Sequence, residues 1–200
     1  PEAGAALPLV GLTAWRAAMT RAGLKSGEKV LVTGIGGGVA TLSLQLALAH
    51  GCEVWVTSSK AEKIEQAKRH GAKGGFLYTE PKWGKQAVNA MGGADVIIDG
   101  AGGPGFSELV TAAAPGGRIA VYGSTAGNWP ELGVPKLFFK QLSVVATTMG
   151  SAREFAAMLA FVAEHRVTPF VDKAFSLADA PAAFAHLAAG GQFGKVVVRP

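Results

Sequence analysis

Apolar residues in this chain form short continuous runs separated by segments with helix-like spacing. Six runs have the length of strands, at residues 29–33, 53–57, 76–78, 95–100, 118–123 and 142–148. Strands that are apolar throughout, rather than at every second residue, are typical of a parallel sheet covered by helices on both faces. The pattern therefore predicts an α/β fold built on a doubly wound parallel sheet.

Helices are predicted between and around these strands from apolar spacing and from end signals. Ser59 and Glu62 have the spacing of a capping box, and so do Ser151 and Glu154. The predicted helices lie within residues 1–22, 41–51, 60–70, 83–91, 106–114, 136–141, 151–165 and 178–189. Two more short strands are predicted in the tail, at 170–175 and 195–199.

A glycine-rich turn joins the first strand of the predicted sheet to the helix that follows. It contains Gly34, Gly37 and Gly38, followed by Val39 and by Ala40, which is expected to pack the helix against the strand. Glycine permits positive φ and close approach of the backbone, and a helix N-terminus offers unpaired N–H groups and a positive dipole end. The turn is therefore predicted to bind a phosphate group.

The other strands of the predicted sheet end in small residues too. Ser58, Gly100, Gly123 and Gly150 follow later strands as Gly34 follows the first. In a doubly wound sheet the carboxyl ends of the strands line one crevice, where ligands bind. We therefore expect a small-molecule site along this edge.

Composition and charge narrow the class of protein. Hydrophobic residues make up 49% of the 200 residues and charged residues 16%, which argues against disorder. The net charge of +5 is spread along the chain without a basic stripe, and no apolar run reaches the roughly 18 residues of a membrane span. We expect a cytoplasmic protein that binds neither nucleic acid nor a membrane. The single cysteine, Cys52, is expected in the core and cannot form a multi-cysteine zinc site.

Three further motifs accompany the glycine-rich turn in a fixed order. Residues 7–15 read LPLVGLTAW, residues 148–151 read TMGS, and residues 193–197 read FGKVV. With these motifs the chain resembles the medium-chain dehydrogenase/reductase superfamily, on its quinone oxidoreductase and zinc-type alcohol dehydrogenase side, over essentially its whole length. The resemblance implies a Rossmann fold and an NAD(P)H-dependent oxidoreductase that transfers hydride between the cofactor and a carbonyl, quinone or alcohol.

The resemblance also implies a division of the chain. Residues 1–22 are expected to be a lead-in helix from a catalytic domain, 23–165 the dinucleotide-binding domain, and 166–200 a C-terminal segment of the catalytic domain. Members of the superfamily have a further N-terminal domain, which supplies most zinc ligands in the zinc-dependent members. We therefore assign no metal ligand here, and expect zinc, if used, only in that N-terminal domain. The four histidines do not cluster by spacing, and no catalytic residue is assigned.

The end of the second strand bears on the choice of cofactor. NAD-preferring Rossmann folds place Asp or Glu there, on the ribose 2′-hydroxyl, whereas this chain has Thr57, Ser58 and Ser59. Hydroxyl groups can donate to a 2′-phosphate, and Lys60 or Lys63 can supply positive charge, which favours NADP over NAD. The resemblance adds Tyr78 as an adenosine-phosphate contact. Alternatively, Ser59 is only a helix cap and Lys63 belongs to a solvated helix face.

The nicotinamide end is predicted from the later strand ends. The candidate contacts by position are Gly100, Ala101, Gly123, Ser124, Met149 and Gly150. The resemblance places Phe193, Gly194 and Lys195 near the same pocket. The alternative is that these glycines only shape strand-to-helix turns, and Tyr122 is interpreted as a packing residue.

Two other classes of function stay open at this point. One is a non-catalytic nucleotide-binding protein. The other is an S-adenosylmethionine methyltransferase, against which the absence of an acidic residue at the end of the second strand speaks. The sixth strand is expected at the sheet edge, where an uncovered β-branched strand favours pairing. Superfamily members commonly dimerise there, so a homodimer is predicted.

Overall fold

The computed structural model describes residues 1–200, and a six-stranded parallel sheet forms its centre. The strands are β1 (Lys29–Val32), β2 (Glu53–Ser58), β3 (Gly74–Leu77), β4 (Ala94–Asp99), β5 (Ala113–Val121) and β6 (Ser143–Ala146). Their order is β3-β2-β1-β4-β5-β6, and every neighbouring pair is parallel. The predicted doubly wound parallel sheet is confirmed, with β6 at one edge.

Nine α-helices and a second small sheet surround these strands. The helices are α1 (Glu2–Ala6), α2 (Pro8–Trp15), α3 (Gly38–Ala49), α4 (Ala61–Arg69), α5 (Trp83–Met91), α6 (Phe106–Ala112), α7 (Pro135–Phe138), α8 (Ala152–Glu164) and α9 (Ala180–Ala188). A π-helical stretch, Arg16–Arg21, continues α2, and a 3-10 turn, Leu177–Asp179, precedes α9. Strands β7 (Val171–Ser176) and β8 (Lys195–Arg199) pair in parallel as a separate two-stranded sheet. None of the helices has the length and apolar content needed to cross a bilayer.

Alternate residues of the central strands point into two different cores. Val30 and Val32 of β1 pack in a cluster with α3 and α4, while Leu31 packs in a second cluster with α5 and α6. All three residues are fully buried. Burial on both faces is the physical reason for the continuous apolar runs in the sequence.

The two predicted capping boxes have different outcomes. Ser151 Oγ accepts a hydrogen bond from the Glu154 N–H (3.3 Å) and the Ser151 N–H donates to Glu154 Oε2 (2.7 Å), which confirms the second box. The first prediction, at Ser59, is wrong. Because α4 begins one residue later than predicted, Lys60 takes the cap position without a side-chain cap, and Ser58 Oγ accepts the Lys60 N–H (3.1 Å).

Cys52 lies in the first core cluster, as predicted. Its Sγ donates to the Lys25 carbonyl oxygen at 3.3 Å. Burial, and after it the charge of Glu28, raise the pKa of the thiol. Cys52 is therefore a packing residue with little thiolate character.

Candidate functional site

A cleft of about 700 Å³ opens at the carboxyl ends of β1, β2 and β4. It lies where the chain order of the sheet reverses between β1 and β4, which is the usual ligand position in such sheets. Seven of the predicted cofactor residues line it: Gly34, Gly37, Ser58, Ser59, Lys63, Tyr78 and Ala101. The fold therefore brings together residues from four separate parts of the chain.

The glycine-rich turn forms the floor of the cleft. Gly34 has φ +63°, which favours glycine, and its N–H donates to Thr57 Oγ1 (3.2 Å) at the end of β2. The Ile35 N–H donates to the Thr57 carbonyl oxygen (2.8 Å), so two hydrogen bonds fix the turn to β2. Helix α3 begins just after Gly37, which leaves the N–H groups of residues 38–40 without intrahelical acceptors.

The three hydroxyl groups at the end of β2 differ in whether they are free to contact a ligand. Thr57 and Ser58 are buried, and both already accept backbone hydrogen bonds. Ser59 is exposed. Lys63, one turn into α4, lines the cleft and its Nζ donates to the Gly190 carbonyl oxygen at 2.9 Å. Burial and then the charge of Lys60 lower the pKa of Lys63.

Asp99, at the end of β4, holds the opposite wall of the cleft. The carboxylate is fully buried and accepts hydrogen bonds from the Thr33 hydroxyl (2.6 Å), the Ala101 N–H (3.1 Å) and the Gly102 N–H (3.0 Å). Thr33 also accepts the Gly100 N–H at 3.3 Å. These bonds set the path of the loop after β4. No local sequence pattern pairs Asp99 with Thr33, because the two residues are 66 positions apart in the chain.

A segment near the C-terminus, residues 190–195, closes over the glycine-rich turn. The Gly194 N–H donates to the Gly36 carbonyl oxygen (2.9 Å), and the Phe193 N–H donates to Asp172 Oδ1 (2.9 Å). His186 Nε2 lies 2.7 Å from Asp172 Oδ2. Burial opposes ionisation of Asp172, but hydrogen bonds from His186 and Phe193 hold its pKa below the ordinary value.

Two residues of this segment, Gly190 and Gln192, line the cleft but were not predicted. Their only sequence signal is that they directly precede the Phe193-Gly194-Lys195 motif. Phe193 itself is buried between His70 and Phe170, with ring centroids 6.0 and 5.6 Å away. Its side chain packs in the core and does not line the cleft.

Gly123 and Ser124 lie beside the main cleft rather than in it. They line a hollow of about 470 Å³ at the end of β5, together with Tyr122 and Trp129. Gly100 packs against Tyr122, because a Cβ there would overlap the Tyr122 ring. Burial and the nearby Asp99 charge raise the pKa of Tyr122, which fits the predicted packing role.

The remaining predicted contacts do not line the cleft. A Cβ on Gly38 would lie 2.6 Å from Lys195 Cδ, and one on Gly150 would lie 2.5 Å from Leu12 Cδ1. Met149 has φ +46° and is 45% exposed. Val39 packs against the α2–α3 cluster. Their roles in cofactor binding stay predictions.

The chain is similar in sequence to a known family of dehydrogenases. Residues 38–164 match the family model described as zinc-binding dehydrogenase, which is well over half of the chain. The chain belongs to the zinc-binding dehydrogenase family. This confirms the predicted membership of the medium-chain dehydrogenase/reductase superfamily.

The similarity to individual members of the zinc-binding dehydrogenase family covers nearly the whole chain. The zinc-type alcohol dehydrogenase-like protein YogA of Leptosphaeria maculans is 37% identical over 209 residues, covering 98% of this chain and 57% of its own length. A crystal structure of an NAD-dependent alcohol dehydrogenase superposes with a TM-score of 0.91 at 35% identity, covering 98% of this chain and 58% of that one.

The quinone oxidoreductase of Thermus thermophilus, solved also with NADPH, has a TM-score of 0.86 at 32% identity and covers 100% of this chain and 67% of its own. This chain thus spans a little over half the length of the first two relatives. Among residues 1–200, no three His, Cys, Asp or Glu side chains are grouped closely enough to hold a metal ion.

Proposed function

We propose that this chain is the cofactor-binding part of an NADP(H)-dependent oxidoreductase that acts on a small carbonyl, quinone or alcohol. The observation that supports this most directly is the cleft itself. A glycine-rich turn, a helix N-terminus and Lys63 face one space at the point where the sheet order reverses. That combination suits an elongated anionic ligand with phosphates near its middle.

The cleft has room for a dinucleotide. Its volume of about 700 Å³ lies within the range of small-molecule and cofactor sites. A Cβ added to Gly34 would meet no atom within 4 Å, and one on Gly37 would meet only the Gly34 carbonyl oxygen at 3.8 Å. Open space above the turn is what the approach of a pyrophosphate requires.

Different residues would hold different parts of the cofactor. The N–H groups of residues 38–40 would donate to the pyrophosphate, and Ser59, Lys63 and Tyr78 would contact the adenosine half. Ala101, with Gly123 and Ser124 in the neighbouring hollow, would face the nicotinamide half. The nicotinamide supplies or accepts the hydride, and this chain's part is to bind and orient it.

The preference for NADP over NAD rests on charge. No carboxylate stands at the end of β2, so a 2′-phosphate meets no like charge there, and Lys63 adds a positive one. The comparisons include both an NAD-dependent dehydrogenase and an oxidoreductase solved with NADPH, so they leave this preference as our proposal.

Fluorescence titration with NADPH and NADH tests the proposal. We expect wild type to bind NADPH more tightly than NADH. Lys63→Gln should weaken NADPH binding about tenfold and change NADH binding little, because one charge-assisted hydrogen bond to the 2′-phosphate is lost. Lys68→Gln is the matched control, since Lys68 lies on the same helix but pairs with Glu65 outside the cleft. Equal affinities, or tighter NADH, would refute the preference for NADP. Binding of neither dinucleotide would refute the function.

We also propose that residues 1–22 and 166–200 belong to a catalytic domain and residues 23–165 to the dinucleotide-binding domain. In support, α1 packs against the small β7–β8 sheet, which is separate from the central sheet. A homodimer is proposed to form through β6, whose outer edge has no partner strand. Hydride transfer by the full-length protein to a panel of quinones, enones and aldehydes would define the substrate.

A further inference from the structure

Asp172, on β7, holds both ends of the stretch of chain from His186 to Phe193. Its Oδ2 lies 2.7 Å from His186 Nε2, near the end of α9, and its Oδ1 accepts the Phe193 N–H at 2.9 Å. Moving this stretch away from β7 would break both bonds together. The bond to His186 therefore contributes to the free energy that is needed to open the stretch.

Two adjacent glycines lie between these two bonds. Gly190, with φ +64°, and Gly191 are surrounded by open space, since a Cβ on either would meet no atom within 4 Å. Glycine loses more conformational freedom on ordering than any other residue. Packing at the glycines therefore does not hold the stretch, and the hydrogen bonds around them do.

The same stretch forms one wall of the cleft. Gly190 and Gln192 line the cleft, and the Gly194 N–H donates to the Gly36 carbonyl oxygen of the glycine-rich turn at 2.9 Å. Opening residues 186–194 would remove this wall together with its bond to the turn. Opening of such a segment commonly limits how fast a ligand leaves a site.

The bond between Asp172 and His186 is the one that depends on pH. Burial opposes ionisation of Asp172, but hydrogen bonds from His186 and Phe193 hold its pKa below the ordinary value, so it stays charged above about pH 5. Histidine is the side chain whose charge ordinarily changes between about pH 5 and 8. The His186 side chain is 32% exposed, so it exchanges protons with solvent. As the pH rises, an ion pair is replaced by a hydrogen bond with one charged partner.

The other charged groups on the elements around α9 have contacts of their own. They are Lys63 on α4 with the Gly190 carbonyl oxygen, Lys173 on β7 with the Phe175 ring, Asp179 with Ser176, Lys195 on β8 with Gly38, and Arg199 with Glu2. A second histidine, His70, packs beside the stretch with its ring 6.0 Å from that of Phe193. His70 makes no ion pair. His186 is therefore the histidine whose charge acts on Asp172.

We propose that His186 and Asp172 are positioning residues for the dinucleotide site and form a latch that loosens when His186 loses its proton. The inference rests on the proposed function. With His186 protonated, the ion pair keeps residues 186–194 closed against the glycine-rich turn. This stabilisation is present at low pH and is lost as the pH rises through the titration of His186. The stretch then opens more often, and the dinucleotide dissociates faster.

Hydrogen exchange and cofactor release in the full protein test the latch. Exchange of the Phe193 and Gly194 amides, followed by NMR at about pH 5.5 and about pH 8.5 and corrected for the intrinsic rate, measures opening without ligand. Stopped-flow displacement measures the release of NADPH at the same two pH values. His186→Gln keeps a neutral donor toward Asp172 and removes the charge. His70→Gln is the matched control, because it removes a histidine beside the same stretch that has no carboxylate partner.

In wild type we expect the protection of both amides to fall about fivefold from the lower to the higher pH, the upper end for a part-exposed ion pair. His186→Gln should show the lower protection at both pH values, and Asp172→Asn should also lose the pH dependence. His186→Gln should release NADPH about fivefold faster than wild type at the lower pH and equally fast at the higher pH. Comparing variant with wild type at each pH cancels the titration of the 2′-phosphate. His70→Gln should behave as wild type does.

Three outcomes would overturn the inference. Protection in wild type could be independent of pH, His186→Gln could keep the wild-type pH dependence, or His70→Gln could lose it instead. In each case NADPH binding by wild type would leave the proposed function standing. If wild type binds no NADPH, the proposed function fails and with it the role of the latch in cofactor release, whatever the amide exchange shows.

Discussion

Asp99 fixes the loop after β4 in the cleft wall, and Asp99→Asn tests this role directly. The carboxylate is fully buried and accepts three hydrogen bonds, two on Oδ1 and one on Oδ2. In the variant, the amide oxygen can keep the two bonds from Thr33 and Ala101. The amide NH₂ then faces the Gly102 N–H, so two donors meet and neither has an acceptor.

The expected cost follows from these contacts. One hydrogen bond to a charged acceptor is worth about 1.5–3 kcal/mol, and a buried donor left unsatisfied costs about 1–3 kcal/mol. Removing the buried charge offsets part of this cost, because its desolvation penalty is also removed. We therefore expect the free energy of unfolding to fall by about 2–4 kcal/mol. For a domain of this size each kcal/mol lowers the unfolding temperature by about 2–4 °C, which gives roughly 5–15 °C.

Thermal unfolding followed by circular dichroism measures the loss, and Asp95→Asn is the control. Asp95 lies on the same strand and accepts one bond, from the Lys29 N–H (2.9 Å), which an amide oxygen can replace. Its unfolding temperature should fall by no more than about 4 °C, the effect of about 1 kcal/mol. Asp99→Asn should also weaken NADPH binding, because Ala101 and Gly102, whose N–H groups Asp99 binds, line the cleft. A shift no larger than that of Asp95→Asn would refute the role assigned to Asp99.

Two further predictions concern α8 and the sheet edge. The hydrogen bond from the Ser151 N–H holds the pKa of Glu154 at about 2, below the usual 4.5. The ionised carboxylate therefore stabilises the fold fully above about pH 4.5, and this stabilisation is lost as the pH falls toward 2. Glu154→Gln should therefore cost about 1 kcal/mol in urea unfolding at neutral pH and little near pH 2; a pH-independent difference would contradict this. Val144→Lys, on the exposed edge strand β6, should convert a dimer to a monomer in light scattering, and a monomeric wild type would remove the dimer proposal.

The sequence determined the architecture because the relevant signals are local. Continuous apolar runs identified the strands, since alternate residues such as Val30 and Leu31 are buried against opposite layers. The glycine-rich turn and the small residues at the strand ends predicted the edge of the sheet at which the cleft opens, because the carboxyl ends of parallel strands lie on the same side. Local signals were less reliable at helix starts, where Ser59 failed as a cap and Ser151 succeeded.

Only the tertiary structure decided which distant residues share the cleft. The Asp99–Thr33 hydrogen bond needs β1 and β4 to be neighbours, and the closure of Gln192 over Gly36 depends on a segment more than 150 residues further along the chain. Spacing in the sequence contains no information about such pairings, because they follow from strand order and helix packing. The structure likewise separated Phe193, a core residue, from Gly190 and Gln192 beside it, since burial is a property of the folded surroundings and not of the motif.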